Sequence, residues 1–477
     1  MISIQKNIPT EIFGVLEQGG YSLHIKGRAG TGKTTLALEI VKNMSQRGTA
    51  IYLSTRVSTE RVLAQFPWVR DCLEEQNILD AKRSYVTSDV PQNVLFEYSD
   101  QPEFLRTINA KIYKSEQRPV TVIIDSLDAL KSSLNIPERD TALESILLEI
   151  GERTSSNMLF ITETDEPCRL DYLTDGVVRL EREILNGRLV RKLYLEKIRG
   201  GQIDQPYYLF TLKDSRFSSF EPSLFPRLKY SAKKLTVKQR KELIPTSIDE
   251  LDRVLYGGLR KGTLNLIKLS RNIVGTEYVY LIYPILHSFV QRGFPVFVIP
   301  PQSGTTRLFM NYVMSIVGVR REESIISALQ KYFYFFRFEN SGEKTVWNEI
   351  HVSKESIENF SKVFKETVTE TTKKLGAETF LWFLGVDTME RCYGAENFSK
   401  SVGDLVLETG NLDGICVVLA KHGVKSLDTL THLASTHFTM DNIGAPVLYG
   451  EFPKTKIYAI VTKKSNGANR IDLVDIE

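Results

Sequence analysis

Residues 27 to 34, Gly-Arg-Ala-Gly-Thr-Gly-Lys-Thr, match the pattern GxxxxGK[ST] and constrain the fold of this chain more than any other stretch. The apolar run 21–26 that precedes them is typical of a buried strand. After them, apolar residues recur at the spacing of one helix face, namely Leu36, Ala37, Ile40 and Val41. A strand, a glycine-rich turn and a helix in this order predict the start of an α/β domain. A chance match in a glycine-rich turn would lack these flanks.

The glycines of this loop predict a site for phosphate groups. They let successive backbone N–H groups point inward, with the positive end of the following helix behind them. Lys33 is placed to reach the β- and γ-phosphates of a nucleotide, and the Thr34 hydroxyl is placed to ligate Mg²⁺. The expected cofactors are therefore ATP and Mg²⁺. The predicted nucleotide contacts are Gly27, Arg28, Ala29, Gly30, Thr31, Gly32, Lys33, Thr34 and Thr35.

A carboxylate further along the chain is predicted to complete this site. The run Thr121-Val-Ile-Ile-Asp125 has the form of a central parallel strand with an acidic residue at its carboxyl end. Ligands of open α/β sheets bind at that edge, so we expect Asp125 to orient Mg²⁺, through water. Such strands are common, and the assignment depends on the phosphate loop before it. Lys33 and Asp125 are thus candidate catalytic residues, and Thr34 and Asp125 the candidate metal pair.

The chain repeats itself at long range. The segment IPTEI at 8–12 returns as IPTSI at 244–248, and the Gln-Arg-Gly turn at 46–48 returns at 291–293. A third echo joins two apolar runs that each end in an aspartate, Asp125 and Asp387. Three echoes in the same order predict two tandem copies of one α/β domain, each a mostly parallel sheet flanked by helices.

The predicted boundaries follow from these echoes. The first domain is assigned to residues 1–213 and the second to 244–477. Between them, 214–243 loses its periodicity and gathers lysines, arginines and prolines, which is typical of a basic linker. The alternative for this segment is a surface that binds DNA or an acidic partner.

Composition restricts the remaining function classes. The net charge of +3 over 477 residues does not indicate a strongly basic nucleic-acid surface overall. The four cysteines are too far apart for a zinc site or a disulfide framework, and the histidines show no metal spacing. No apolar stretch reaches the length of a membrane span. We therefore expect a cytoplasmic protein with reduced thiols.

Two basic residues in the stretch Leu195-Glu-Lys-Ile-Arg-Gly200 form a further candidate site. On a strand, Lys197 and Arg199 would share a face and could reach a γ-phosphate. Paired basic residues are also common on exposed strands, so ordinary solvated charges remain the alternative.

These motifs resemble the KaiC-like branch of the RecA-type ATPases. The similarity rests on IKGRAGTGKTTLALE, VIIDS, DGVVRLERE, EKIRG and the second-domain entry IPTSIDELDRVLYGGLRKGTL. The first half resembles in particular the GvpD family of archaeal gas-vesicle regulators. The resemblance implies two tandem RecA-like domains and ATP bound between subunits of a ring or dimer. It also implies that Lys197 and Arg199 reach the neighbour's γ-phosphate.

The first domain departs from the KaiC-like pattern at the hydrolytic glutamates. The pair that would follow the second strand is replaced by Arg56 and Val57, with Glu60 a few residues later as the substitute to consider. Loss of a general base costs roughly 10² to 10⁴ in rate and spares binding. We therefore expect a weak ATPase at most.

The second domain departs further. Where strand 263–267 should enter a phosphate loop, residues 268–277 have no glycine lattice, and no lysine occurs from 269 to 330. Arg271 is the remaining cation of that loop. We expect a degenerate copy that binds no nucleotide. The aromatic run 331–338 predicts a buried strand, with a base-stacking platform as the alternative.

The leading hypothesis is a Mg-ATP-binding RecA-like protein with slow or no hydrolysis that acts as a regulatory switch on a protein partner. The regulatory role is implied by the resemblance alone. A DNA-binding recombinase-like ATPase and an accessory ATPase of a membrane-associated machine are the alternatives. Nucleic acid is not favoured as a partner, and no membrane insertion is expected.

Overall fold

The computed structural model describes most of the chain. The described ranges are 7–44, 48–81, 103–137, 140–222, 242–275, 277–301, 306–317, 323–338, 348–465 and 468–476. Contacts divide the chain into two compact units, residues 1–220 with 476–477 and residues 221–475. Each unit has its own sheet and its own apolar core.

The first unit is built on one mostly parallel sheet. Its described strands are β1 (Ser22–Lys26), β2 (Ala50–Ser54), β3 (Ile78–Asp80), β4 (Thr121–Asp125), β5 (Asn157–Ile161), β6 (Gly176–Leu185), β7 (Arg188–Ile198), β8 (Tyr207–Thr211) and β9 (Ser218–Ser219). They lie in the order β3-β2-β4-β5-β1-β6-β7-β8-β9. Pairing is parallel from β3 to β6 and antiparallel from β6 to β9.

Helices cover both faces of this sheet. The described helices are α1 (Thr10–Leu16), α2 (Lys33–Met44), α3 (Thr59–Gln65), α4 (Glu103–Lys114), α5 (Leu127–Ser133), α6 (Ala142–Thr154) and α7 (Arg169–Leu173). Successive residues of a strand point to opposite faces. In β4, Ile123 packs into the same core as α2, whereas Val122 and Ile124 pack into the core of α4 and α6. The continuous apolar run is therefore that of a strand buried on both sides.

The second unit repeats this plan. Its described strands are β10 (Leu243–Ile244), β11 (Leu259–Arg260), β12 (Leu264–Leu269), β13 (Val296–Ile299), β14 (Phe333–Arg337), β15 (Asn348–His351), β16 (Leu381–Gly385), β17 (Ile415–Ala420), β18 (Thr436–Asn442), β19 (Pro446–Phe452), β20 (Lys454–Ser465) and β21 (Ala468–Asp475). The main sheet has the order β15-β14-β13-β16-β17-β12-β18-β19-β20-β21. Strands β10 and β11 form a separate antiparallel pair.

The helices of the second unit follow the same β–α alternation. Those described are α8 (Asp249–Val254), α9 (Tyr278–Gln291), α10 (Thr306–Val317), α11 (Glu323–Tyr332), α12 (Ile357–Leu375), α13 (Val386–Tyr393), α14 (Ala395–Asn411) and α15 (Leu427–Leu433). Both ends of α12 are set by residues that are typical of helix caps. The Ser356 hydroxyl accepts a hydrogen bond from Asn359 N at its start, and Gly376 takes a left-handed φ of 63° at its end.

The two sheets share one strand order. Six strands of the first unit, β3-β2-β4-β5-β1-β6, correspond to β14-β13-β16-β17-β12-β18 of the second. The predicted fold class, two α/β domains with mostly parallel sheets, is therefore confirmed.

The register of the strands corrects one of the three echoes. In the first unit Ile161 pairs with both Ile25 and Asp125. In the second unit Leu419 pairs with both Ile267 and Gly385. Gly385 therefore occupies the position of Asp125. The expectation that Asp387 is the counterpart of Asp125 is wrong, because Asp387 lies two residues later, in the first turn of α13.

The segment between the domains is described only at its ends. Residues 223–241, most of the predicted basic linker, lie outside the described residues. Near its start, β9 pairs with β8 and Phe217 is fully buried, and at its end β10 pairs with β11. The described ends of the predicted linker thus belong to the folded units.

Residues 333–337 of the aromatic run form a strand with a buried face, as predicted, whereas residues 331–332 end α11. Phe333, Phe335 and Phe336 of β14 are almost fully buried in the second unit, so their faces are not available for stacking on bases. Within the described ranges, no helix has the length and apolar character needed to cross a membrane.

Candidate functional site

The phosphate loop, residues 27–34, connects β1 to α2 at the carboxyl edge of the first sheet. Gly27 has a φ of 148° and Gly32 a φ of 103°, conformations that favour glycine. A Cβ atom at Gly27 would lie 2.3 Å from the carbonyl oxygen of Leu180 in β6. Only glycine therefore lets the loop pass this close to the neighbouring strand.

Lys33 lies inside the curve of the loop. Its side chain is buried, and its ammonium donates hydrogen bonds to the carbonyl oxygens of Gly27, at 2.6 Å, and Arg28, at 2.9 Å. Burial lowers the pKa of Lys33, and the charges of Glu163 and Asp125 oppose that shift. The ammonium is thus held at the centre of the loop by groups that a phosphate oxygen could replace.

Thr34 and Asp125 meet, as the predicted metal pair requires. The Thr34 hydroxyl donates to Asp125 Oδ2 over 2.6 Å, and the Tyr52 hydroxyl donates to the same oxygen over 2.7 Å. Burial raises the pKa of Tyr52 well above its ordinary value, and the charge of Asp125 adds to the shift. A hydroxyl and a carboxylate beside a phosphate loop are oxygen donors of the kind that Mg²⁺ prefers. These residues therefore fit a magnesium ion.

The other predicted contacts surround the same loop. The Thr31 hydroxyl closes a turn on the carbonyl oxygen of Arg28 at 2.9 Å, and Thr35 is buried in the first turn of α2. The Arg28 side chain is 80% exposed, and its Nε lies 2.7 Å from Asp165 Oδ2. Three loop residues face solvent, namely Arg28, Ala29 and Gly30.

The structure adds two carboxylates that the sequence analysis missed. Glu163 follows β5 and Asp128 lies in the first turn of α5, and the Glu163 backbone N–H donates to Asp128 Oδ2 over 2.6 Å. Arg56 extends from the end of β2 to Glu163, with 2.5 Å between Nη1 and Oε1. Arg56, which stands where the hydrolytic glutamates were expected, is therefore paired with an acid that follows another strand.

The K-x-R-G stretch does not present two free cations within the unit. The Lys197 ammonium donates to the carbonyl oxygens of Asp171, at 2.8 Å, and of Thr174, so it caps the end of α7. Arg199 is 58% exposed and lies 3.4 Å from Asp175 Oδ1. The structure thus brings neither residue to the phosphate loop of its own unit. Their role at a neighbouring subunit stays a prediction.

A buried polar network lies next to the loop on the β6 side. His24 is fully buried, with Nδ1 2.8 Å from Asp171 Oδ1 and Nε2 2.7 Å from the Thr162 hydroxyl. Lys26, which directly precedes Gly27, pairs with Asp171 at 3.0 Å and with Glu196 at 2.8 Å. Burial alone would raise the pKa of Asp171, but its hydrogen bonds, from His24 first, hold it well below its usual value.

The same network contains three metal-ligand types. Atoms of His24, Cys168 and Asp171 lie within 4.8 Å of one another, a proximity that sequence spacing does not indicate. Both nitrogens of His24 and both oxygens of Asp171 already have protein hydrogen-bond partners. The cluster is therefore satisfied as a hydrogen-bonded network.

The corresponding loop of the second unit is occupied by its own side chains. The hydroxyl of Ser270 and the amide of Asn272 both donate to Asp441 Oδ1. Arg271 Nε lies 2.5 Å from His422 Nε2. By register Leu269, a core residue, stands in the place of Gly27. Over residues 269–275 the second unit therefore has a leucine where the first loop has Gly27, and it has no lysine.

Two family models match this chain. The model of the GvpD gas vesicle protein P-loop domain matches residues 13–196, which include the loop and Asp125, and that of GvpD basic region 2 matches residues 236–477. The chain belongs to the GvpD family. GvpD1 and GvpD2 of Halobacterium salinarum are 22% and 23% identical to it, each over 96% of this chain and 94% of the relative. A UPF0273 protein of Pyrococcus furiosus is 23% identical over 40% of this chain and 81% of that protein.

Proposed function

We propose that this chain binds Mg-ATP in its first unit, hydrolyses it slowly or not at all, and acts as a nucleotide-dependent regulatory switch on a protein partner. The observation that carries the proposal is the convergence of Lys33, Thr34 and Asp125 on one glycine-built loop. Lys33 and Thr34 begin α2, and Asp125 ends β4.

The phosphate groups are bound by the backbone and by Lys33. The curved loop offers N–H groups, and α2 begins directly behind it, so its positive end favours an anion there. The Lys33 ammonium exchanges the carbonyl oxygens of Gly27 and Arg28 for phosphate oxygens. Because a phosphate oxygen is charged and a carbonyl oxygen is not, the exchange favours the bound state.

Thr34 and Asp125 are the residues that would hold Mg²⁺, and the ion would supply positive charge that offsets part of the charge of the phosphates. The Thr34 hydroxyl, which donates to Asp125 here, would have lone pairs available for the ion once that hydrogen bond is released. Tyr52 keeps its bond to the same carboxylate and fixes its orientation.

The regulatory part of the proposal rests on family membership and on the absence of a P-loop lysine from the second unit. A protein with one nucleotide site and slow turnover stays in its ATP-bound state for a long time. ATP can control the binding of a partner protein only if the ATP-bound and ATP-free forms of this chain differ in their affinity for that partner. A homo-oligomer, as a ring or a dimer, belongs to the same proposal.

Calorimetric titration with ATP and Mg²⁺ tests the binding step. We expect one ATP per chain. For Lys33→Ala we expect a loss of about 5- to 1,000-fold in affinity: two charged hydrogen bonds to phosphate contribute roughly 3–6 kcal/mol, and the two bonds to carbonyls that are given up contribute about 2 kcal/mol, which leaves about 1–4 kcal/mol. Circular dichroism of the variant confirms that it is folded. Two sites per chain, or unchanged affinity in folded Lys33→Ala, would contradict the proposal. The mass in solution with and without ATP tests oligomerisation.

A further inference from the structure

Three side chains around the phosphate loop are bonded to protein groups that an incoming nucleotide would replace. Lys33 binds carbonyl oxygens of its own loop, and Thr34 binds Asp125. Arg56 binds Glu163. In the proposed function, Lys33 exchanges its present partners for phosphate oxygens and Thr34 exchanges its partner for a metal ion. The third pair joins a cation and an acid that have no assigned role.

Glu163 lies at the lip of the loop. Its neighbours on both sides are hydrogen-bonded to the β1 end of the loop, with Thr162 N donating to Ile25 O over 3.1 Å and Gly27 N donating to Thr164 O over 2.9 Å. Its negative charge opposes the lowering of the Lys33 pKa by burial. The backbone at Glu163 is therefore fixed between β1 and β4, at the carboxyl edge of the sheet where Lys33 and Asp125 also lie.

Arg56 reaches the same place from the opposite side. The preceding residue, Thr55, is hydrogen-bonded to the end of β4, because its backbone N–H donates to the carbonyl oxygen of Asp125 over 2.9 Å. The side chains of Arg56 and Glu163 are 51% and 35% exposed. An ion pair this exposed is weak, so Arg56 can leave it at little cost.

We infer that Glu163 is the general base of this site and that Arg56 moves from Glu163 to the γ-phosphate when ATP binds. This inference rests on the proposed function. A triphosphate next to a carboxylate is repelled, and the guanidinium offsets that repulsion by moving its positive charge from Glu163 to the γ-phosphate. Arg56 thus contributes to ATP binding and, by leaving Glu163, frees the carboxylate to accept a proton.

The reaction is hydrolysis with water as the nucleophile. Glu163 takes one proton from the water molecule while the water oxygen forms a bond to the γ-phosphorus. The bond between that phosphorus and the β,γ-bridging oxygen breaks, and the electron pair leaves with ADP. Glu163 then returns its proton to phosphate or solvent. Because Glu163 is paired with Arg56 before ATP binds, the base is available only in the ATP-bound state.

Two variants separate the roles. We expect Arg56→Ala to lose about 10- to 100-fold in affinity for ATP and less than about threefold for ADP, which has no γ-phosphate. We expect Glu163→Gln to bind ATP as tightly as the wild type or more tightly, and to cleave it about 10² to 10⁴ times more slowly. Calorimetry with ATP and ADP gives the affinities. Single-turnover incubation with labelled ATP and excess protein gives the cleavage rates.

The chain offers a matched control. Arg153 and Glu149 form an exposed ion pair on α6, at 2.6 Å and with 51% and 54% exposure, on a helix without a role at the site. Arg153→Ala and Glu149→Gln should leave the ATP and ADP affinities and the cleavage rate unchanged. Any general effect of removing a surface ion pair would appear in these variants too.

The outcomes distinguish this inference from the proposed function. If the wild type fails to bind ATP, or Lys33→Ala binds it normally, the proposed function fails. If the wild type binds through Lys33 but Arg56→Ala loses ATP and ADP equally, or loses neither, the movement of Arg56 is refuted. Cleavage by Glu163→Gln at the wild-type rate refutes the base. If the wild type cleaves no ATP under single-turnover conditions, the assignment of a base is likewise overturned.

Discussion

Replacing Gly385 with aspartate would place a carboxylate in the register of Asp125, and we expect it to destabilise the second unit. A Cβ atom at Gly385 would lie 2.6 Å from both N and Cα of Pro301, whereas ordinary van der Waals contact begins at 3.4 Å. The opposing atoms belong to a proline backbone at the end of the neighbouring strand. They cannot rotate away as the end of a long side chain could.

The magnitude follows from that overlap. Overpacking costs typically about 1–3 kcal/mol, and a rigid backbone neighbour places this case at about 3 kcal/mol. For a unit of this size, each 1 kcal/mol lowers the unfolding temperature by roughly 2–4 °C, so we expect a decrease of about 6–12 °C. Scanning calorimetry of the full chain measures the shift in the second unit's transition. ATP titration of the same variant should still give one site.

Two further glycine variants serve as controls. Gly385→Ala carries the Cβ overlap without the charge, so it should retain most of the destabilisation. Gly403, inside α14, has open space where its Cβ would stand, and Gly403→Ala should stabilise the helix by roughly 0.5–1 kcal/mol. Gly385→Asp unfolding at the wild-type temperature, or gaining a second ATP site, would refute the steric argument.

Three other substitutions test the first unit. Asp125→Asn should keep much of the ATP affinity but weaken its dependence on Mg²⁺, and identical magnesium titrations in variant and wild type would refute the metal role. Glu39 is 1% exposed and pairs with Arg216, so Glu39→Gln should lower the free energy of unfolding by about 2–4 kcal/mol, measured by urea denaturation. The lowered pKa of Asp171 means that its contribution to stability is present above the unfolded-state pKa of about 4 and is lost as the pH falls below it. Asp171→Asn should therefore be destabilised at neutral pH and show a flatter loss of stability below about pH 4; an unchanged acid profile would contradict this.

The sequence predicts those parts of the site that depend on local pattern. The loop needs glycines at fixed spacing, α2 must begin at Lys33, and β4 must be apolar up to Asp125. Each of these features is visible within a few residues, because backbone conformation and strand burial are set locally. The contact between Thr34 and Asp125 then follows from the rule that carboxyl ends of parallel strands share one edge.

Other features depend on strand order and register, which the sequence does not reveal. Glu163 stands in the stretch Thr-Glu-Thr, which carries no motif, and its partner Arg56 is 107 residues away. Only the position of β5 between β4 and β1 brings the acid to the loop. The incorrect match of Asp387 to Asp125 has the same origin. A shift of two residues along a strand keeps the alternation of faces, so the apolar pattern looks the same although each residue pairs with a different residue of the neighbouring strand.

The comparison of the two units explains why one substitution cannot restore the second site. By register, Leu269 stands in the place of Gly27, Gly385 in that of Asp125 and Lys421 in that of Glu163. Lys421 pairs with Asp387 at 3.2 Å, so a cation paired with an acid stands where the first unit has an acid, Glu163, paired with a cation. Each of these residues fits its surroundings. Leu269 packs in the core, Gly385 lies against the backbone of Pro301, and Lys421 is paired with Asp387. Even with these positions changed, residues 269–277 would still contain no lysine to take the place of Lys33, so we expect ATP to bind through the first unit.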